Sequence, residues 1–139
     1  VGGKFYTEFG VAVDLGFKAV NADHYMRFTY NTTGTMAIVV GADDAFMFKL
    51  DNDSIVTMHS VDVQSGDINP GRYGGNTLLR CLYRTTLADL NALATTPCAK
   101  IRWYTREGYN EKELNEKARA RLMTYANCML TKPWRPVRK

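Results

Sequence analysis

Apolar and polar side chains alternate with a period of two along most of the first 86 residues, as they do in β-strands that bury one face. The clearest example is a hairpin whose first arm carries Phe46, Phe48 and Leu50 on one face and Lys49 on the other. Turn-forming residues at 51–53 separate this arm from a second β-rich arm. The same pattern predicts further strands, at 5–9, 11–13, 24–30, 35–40, 77–84 and 98–105. The sequence therefore predicts an antiparallel sheet.

The apolar period changes to that of helices after residue 85. Thr86 and Asp89 form a capping box, three leucines follow at helical spacing, and Pro97 ends the segment, which predicts a short helix over about 87–95. A second apolar stripe predicts a long C-terminal helix that begins at about 111 or 115, after Asn110 or Asn115, and ends at about 130. The stripe consists of Leu114, Ala118, Leu122, Tyr125 and Met129, and the cations Lys117, Arg119 and Arg121 are predicted to lie on the solvated side.

These elements predict one α+β domain over residues 1–130, in which a twisted or barrel-like antiparallel sheet of six to eight strands carries both helices. The predicted core consists of one face of the sheet and the two apolar helix stripes. It comprises Phe46, Phe48, Leu50, Ile55, Leu90, Leu93, Ile101, Trp103, Leu114, Leu122, Tyr125 and Met129. Residues 131–139 are predicted to form a separate basic tail that contains two prolines.

The net charge of +4 comes from this tail rather than from the body of the 139-residue chain. The tail holds four of the 18 Lys and Arg residues and no acid, so the remaining 14 balance the 14 Asp and Glu. A nucleic-acid-binding domain usually gathers an excess of Lys and Arg on one face, and we therefore predict no nucleic-acid partner. The longest apolar run, 36–40, has the length of a strand, which predicts no membrane span.

The three cysteines, Cys81, Cys98 and Cys128, are an odd number and lack the spacing of a metal site. Their apolar neighbours predict buried, reduced thiols. One disulfide beside a free thiol is the alternative for an exported protein. The chain begins at Val1 without an initiator Met, as removal of a signal peptide would leave it.

Two histidines are the candidates for catalysis or metal binding. His24 follows Asp23, and His59 has Asp62 three residues further on. An acid–base pair or a metal site needs such side chains to converge in space, and the chain contains no GxSxG, SxxK or HExxH motif. We therefore predict no catalytic residue, no metal and no cofactor. The alternative is a small enzyme or ligand-binding barrel that uses His24 or His59 with aspartates in an aromatic-lined pocket.

A candidate binding surface combines cations with aromatic rings. Strand alternation predicts that Arg102, Tyr104 and Arg106 face the same way. Tyr73 lies in the long glycine-rich stretch 65–76, and long irregular loops are often binding loops. We predict that these four residues contact a protein or small ligand of unknown identity. The alternative is a solvated sheet face with cation–π pairs.

Several short segments of the chain form a recurrent combination: 83–90, 100–102, 108–109, 111–113 and 117–122, with a hairpin of the form Phe-x-Leu, acidic turn, Ile-Val-x-Met. This combination, over about residues 44–130, resembles a loose group of uncharacterised bacterial single-domain proteins of the gut-anaerobe type. The resemblance implies the fold and a bacterial origin, and it brings no activity, cofactor or catalytic residue. The bacterial cytoplasm and the cell envelope are both open as localisations. We accordingly expect a binding or interaction module rather than an enzyme.

Overall fold

The computed structural model describes residues 2–6, 12–35, 37–71 and 74–131. In chain order its elements are β1 (Gly2–Tyr6), β2 (Ala12–Val20), β3 (Asp23–Thr33), β4 (Val39–Val40), β5 (Ala45–Leu50), β6 (Ile55–Ser60), β7 (Gln64–Ser65), β8 (Asp67–Asn69), β9 (Asn76–Thr85), α1 (Leu87–Thr95), β10 (Cys98–Thr105), β11 (Gly108–Glu113) and α2 (Glu116–Thr131). The predicted α+β class, with a short helix and a long C-terminal one, is confirmed. The predicted capping box of α1 is also present, since Thr86 and Asp89 bond reciprocally.

Nine strands of the described residues form one antiparallel sheet, which curls into a half-barrel. Eight of them follow the order β1-β2-β3-β9-β6-β5-β10-β11, in agreement with the predicted six to eight strands, and the short β8 pairs with β9 beside this path. Adjacent segments of the chain pair as hairpins at β2–β3, β5–β6 and β10–β11, whereas β9 pairs with both β3 and β6. A separate two-stranded sheet consists of β4 and β7.

The face of the curled sheet that packs against the helices is called here the inner face, and the opposite one the outer face. Alternation turns Phe46 and Phe48 of β5 inward and Lys49 outward, as predicted. Aromatic rings occupy the centre of the core: the ring centroid of Phe28 lies 4.9 Å from that of Phe46 and 5.1 Å from that of Trp103. The helices contribute three leucines without exposed area, Leu90, Leu93 and Leu122. Burial of this apolar surface is the main stabilising term of the fold.

The predicted core is correct at nine of its twelve positions, and it is wrong at Ile55, which is 58 % exposed. The turn between β5 and β6 pairs Ile55 with Lys49, so that both side chains lie on the outer face. Tyr125 and Met129 are only partly buried against the core. Ala126, which the apolar stripe did not include, is fully buried in their place.

The strand predicted over 35–40 is much shorter in the structure. Of the described residues in this run, only Val39 and Val40 form a strand, β4. Its partner β7 also has two residues, so a longer strand would find no further partner for its backbone groups. Ile38 is buried beside β4, and its carbonyl accepts a hydrogen bond from the N–H of Gly66 at 2.8 Å.

The long helix begins after Asn115, one of the two predicted starts. Oδ1 of Asn115 accepts the N–H of Ala118 at 2.8 Å, which is the hydrogen bond of a helix N-cap. The alternative start after Asn110 is wrong, because residues 108–113 form β11 and pair with β10. The predicted basic tail lies outside the described residues except for Thr131, which is the last residue of α2.

The solvated side predicted for α2 needs one correction. Lys117 is exposed, but Arg119 and Arg121 are half-buried. Nε of Arg119 donates to the carbonyl of Leu114 at 2.9 Å, and Nη1 lies 3.5 Å from Oδ1 of Asp51. The side chain of Arg119 therefore joins the start of α2 to the turn after β5.

A β-bulge in β10 sets the faces at the start of this strand. The register against β5 shifts between Cys98 and Lys100, which leaves Ala99 as the extra residue. Cys98 and Ile101 are three residues apart, and the bulge allows both to face inward. It also places Lys100 directly opposite Lys49 on the outer face.

All three cysteines are free, and Cys81 and Cys98 are buried as predicted, whereas Cys128 is half-buried. Burial raises the pKa of each of the two buried thiols to about 12, because desolvation disfavours the thiolate.

At pH 8 roughly one molecule in ten thousand then carries the thiolate form of Cys81, and the same holds for Cys98. Iodoacetamide should therefore modify Cys128 first. Mass spectrometry of peptides labelled before and after unfolding checks this order. Modification of Cys81 or Cys98 in the folded protein as fast as Cys128 would contradict it.

Candidate functional site

The outer face of the sheet is the face against which neither helix packs. Its strands β5, β10 and β11 bring charged side chains together, because cross-strand partners in an antiparallel sheet share a face. In this part of the sheet Arg102 lies opposite Met47 on one side and Glu111 on the other. Lys100 lies opposite Lys49 in the next row.

Arg102, Tyr104, Tyr109 and Glu111 form a cluster, called here the Arg102 cluster. Nε of Arg102 donates to Oε1 of Glu111 at 2.7 Å, and Nη2 forms an ion pair with the same oxygen. Nη1 donates to the hydroxyl of Tyr104 at 3.2 Å, and Cζ lies 4.1 Å from the ring centroid of Tyr109. The centroids of the two tyrosine rings are 5.6 Å apart. The guanidinium therefore uses most of its hydrogen-bond donors within the cluster, and one of its faces is covered by the ring of Tyr109.

Glu111 is the carboxylate that two cations of this surface share. Besides the bonds from Arg102, Oε2 of Glu111 lies 3.7 Å from Nζ of Lys100. The hydrogen bond from Arg102 lowers the pKa of Glu111, so this carboxylate stays ionised at a lower pH than an ordinary glutamate. The side chains of Arg102 and Glu111 are 35 % and 31 % exposed, and a pair so accessible to water fixes geometry more than it adds stability.

A groove with a volume of about 260 Å³ crosses the outer face beside this cluster, and we call it the β5–β10 groove. Its lining includes Met47, Lys49, Ile55, Lys100, Arg102 and Glu111. Two of these side chains are apolar, three are cationic and one is acidic. Because Glu111 already bonds to both Arg102 and Lys100, the lining keeps a positive excess. The groove can therefore offer an apolar contact and a positive charge to the same small molecule.

A second cavity, of about 340 Å³, lies at the turn between β10 and β11. Tyr30, Tyr109 and Asn110 contribute to its lining, and Glu107 is the charged residue among the described residues that line it. The carboxylate of Glu107 disfavours an anionic ligand. This cavity therefore differs from the β5–β10 groove in the sign of its charge.

The structure brings together two of the four residues predicted to form a binding surface. Arg102 and Tyr104 share the outer face and are hydrogen-bonded. Arg106 lies in the turn between β10 and β11 and packs on the loop before β5, where a Cβ on Gly41 would lie 3.4 Å from Nε of Arg106. Tyr73 lies outside the described residues.

The two histidines lie on opposite faces of the sheet. His24 has the same strand parity as the buried Met26, which places it on the inner side. His59 alternates with the buried Met58 and lies on the outer side, where its Nδ1 is 3.1 Å from the backbone oxygen of Asp43. Among the described residues, no group of three or more His, Cys, Asp or Glu side chains is placed to hold a metal ion. The positions of the two histidines therefore do not specifically support the alternative, an enzyme that uses His24 or His59.

Sequence reasoning did not identify Lys49 and Lys100 as members of one site. The hairpin pattern places Lys49 on the polar face of β5. Which residue of the next strand lies opposite Lys49 depends on the pairing of β5 with β10 and on the bulge at Ala99. Neither feature has a local signature. The one available signal is that Met47 and Ile55 flank Lys49, which puts apolar side chains around a cation on a polar strand face.

None of the described helices is both long enough and apolar enough to span a bilayer. Comparison of the chain with protein-family models, with curated proteins and with solved structures gives no match.

Proposed function

We propose that this chain is a binding module without catalytic activity of its own, and that it binds a small ligand in the β5–β10 groove. The observation that carries the proposal is the pairing of apolar and charged lining on a sheet face that the helices leave open. Ligand sites typically combine an apolar lining with a few positioned polar groups. Sites on strands are also held in place better than sites on loops.

Ile55 is the residue that contributes most to this proposal. Single exposed apolar side chains are common on protein surfaces and need no explanation. Here Ile55, 58 % exposed, lines the same concave groove as the half-buried Met47. A ligand that covers both side chains removes their apolar surface from water.

The Arg102 cluster supports the proposal as a fixed wall of the groove. Arg102 is bonded to Glu111 and Tyr104 and stacks on Tyr109, so its side chain is held before a ligand arrives. Pre-ordered side chains lower the entropy cost of binding. Of the predicted surface residues, Arg102 thus lines the proposed site, and Tyr104 contacts it only through its hydrogen bond with Arg102.

The test uses two fluorescent probes with the same aromatic rings, 1-anilinonaphthalene-8-sulfonate and its uncharged parent N-phenyl-1-naphthylamine. At least one probe should bind the folded chain and shift the amide NMR resonances of β5 and β10. Ile55→Ser should weaken that binding about 5- to 30-fold, since it removes about 1–2 kcal/mol of apolar contact. Fluorescence titration measures the change.

Leu87→Ser is the matched control, because Leu87 on α1 is 56 % exposed and lies outside the lining of the groove. This variant should bind the probes as the unchanged chain does. Probe binding that leaves the β5 and β10 resonances in place, or that weakens equally in both variants, would refute the proposed site.

A further inference from the structure

We infer that the β5–β10 groove is an anion site, and that its ligand is a small amphipathic anion whose charged group lies between Lys49 and Lys100. The sulfonate or carboxylate of such a molecule would face the two ammonium groups, and its apolar part would cover Met47 and Ile55. The inference rests on the proposed function and adds the chemical class of the ligand.

The first argument is the register of β5 against β10. The bulge at Ala99 sets Lys49 and Lys100 directly opposite each other on the outer face. Cβ atoms of such cross-strand partners are about 4.5–5.5 Å apart, and like charges at this position destabilise a sheet. An anion between the two ammonium groups would turn this repulsion into attraction to both.

The second argument is the charge balance around the pair. Lys100 has Glu111 as a partner, but Glu111 is held by Arg102 as well. Glu113 lies opposite Lys100 on β11 and, among the described residues, forms no ion pair. Lys49 is exposed and likewise forms none within the described part of the chain. Lys49 is therefore the cation that the fold leaves for a ligand.

The third argument is the position of the apolar side chains. Ile55 lies opposite Lys49 on β6, and Met47 lies opposite Arg102 on β5. Apolar and cationic side chains are thus direct neighbours in two adjacent cross-strand rows of the sheet. A fully hydrated ion such as sulfate would leave Met47 and Ile55 in water, whereas an anion with an apolar tail uses both parts of the groove.

The charge requirement is tested with the same two probes, since they differ in the sulfonate. The unchanged chain should bind 1-anilinonaphthalene-8-sulfonate more tightly than N-phenyl-1-naphthylamine. Added salt should weaken the binding of the sulfonate probe and leave the binding of the uncharged probe unchanged. Lys49→Met keeps the length of the side chain and removes its charge, so it should weaken sulfonate binding about two- to fivefold, while the uncharged probe should bind no more weakly than before. Lys49→Arg should retain sulfonate binding.

Lys117→Met is the control, because Lys117 is an exposed lysine of α2 that is not among the lining residues of the groove. A second readout is the melting temperature without probe. Lys49→Met should raise it by removing the Lys49–Lys100 repulsion, and added salt should reduce this gain.

Two results separate this inference from the proposed function. Equal binding of both probes, weakened by Ile55→Ser but not by Lys49→Met, would leave the groove as a ligand site and overturn its assignment to anions. If neither probe shifts the amide resonances of β5 and β10, both the inference and the proposed function are overturned.

Discussion

Leu122→Ala should lower the free energy of unfolding by about 2–5 kcal/mol. Leu122 has no exposed area and lies on the face of α2 that packs on the sheet and on α1. Truncation removes its transfer free energy and leaves a cavity between elements that are held by many other contacts, so the site cannot collapse to fill it. Urea denaturation followed by circular dichroism measures the loss, as a lower midpoint at an unchanged slope.

Lys117→Ala is the control for this variant, since Lys117 is exposed on the same helix. Its free energy of unfolding should stay within about 0.5 kcal/mol of the unchanged chain. Arg119 is unsuitable for this purpose, because it bonds to the carbonyl of Leu114 and pairs with Asp51. Equal midpoints for Leu122→Ala and Lys117→Ala would mean that α2 is rotated about its axis relative to the structure described here.

The features of the fold that could be predicted are those with a local cause. Alternation along β5 depends on neighbouring residues, and this strand buries the predicted face. The predicted strand at 77–84 lies within β9, which alternates in the same way. The capping box of Thr86 and Asp89 is contained within four residues, and it fixes the start of α1. Local patterns of this kind agree with the final structure because local preference and global packing favour the same conformation.

The features that could not be predicted depend on which strands meet. Ile55 has the β-branched side chain of a core strand, but the turn pairs it with the outward Lys49. Residues 111–113 are one of the two predicted starts of the long helix, yet with 108–110 they form a hairpin with β10 whose pairing outweighs helix propensity. Arg102 and Tyr104 could be assigned to one face from alternation alone. Their partners Tyr109 and Glu111 could not, because they belong to that same hairpin.

The position of the groove follows from the same non-local pairing. Lys49 and Lys100 are brought together by a strand contact between distant parts of the chain and by one extra residue at Ala99. A shift of one residue would turn one of the two side chains to the other face. The charge pair that defines the proposed anion site is therefore a property of the register rather than of any segment of the sequence.

Gly75→Ala should lower the free energy of unfolding by about 2–4 kcal/mol. The φ angle of Gly75 is +69°, which costs an alanine about 1 kcal/mol. A Cβ there would also overlap with the carbonyl oxygen of Asn69 and lie 2.8 Å from the nitrogen of Gly71. Both contacts are with backbone, so no side chain can move aside, and relief requires displacement of the loop before β9, at a further cost of about 1–3 kcal/mol.

Gly74→Ala separates the two contributions to this loss. Gly74 also has a positive φ, +96°, but a Cβ there would meet no atom of the described residues within 4 Å. Its variant should lose only about 1 kcal/mol, the part that comes from backbone conformation. The carbonyl of Gly75 accepts the N–H of Gly34 at 3.0 Å, so the Gly34 amide should exchange with deuterium faster in Gly75→Ala than in Gly74→Ala. Equal stabilities and equal exchange rates in the two variants would show that the loop at Gly75 yields to a Cβ, against the close approach of Asn69 and Gly71.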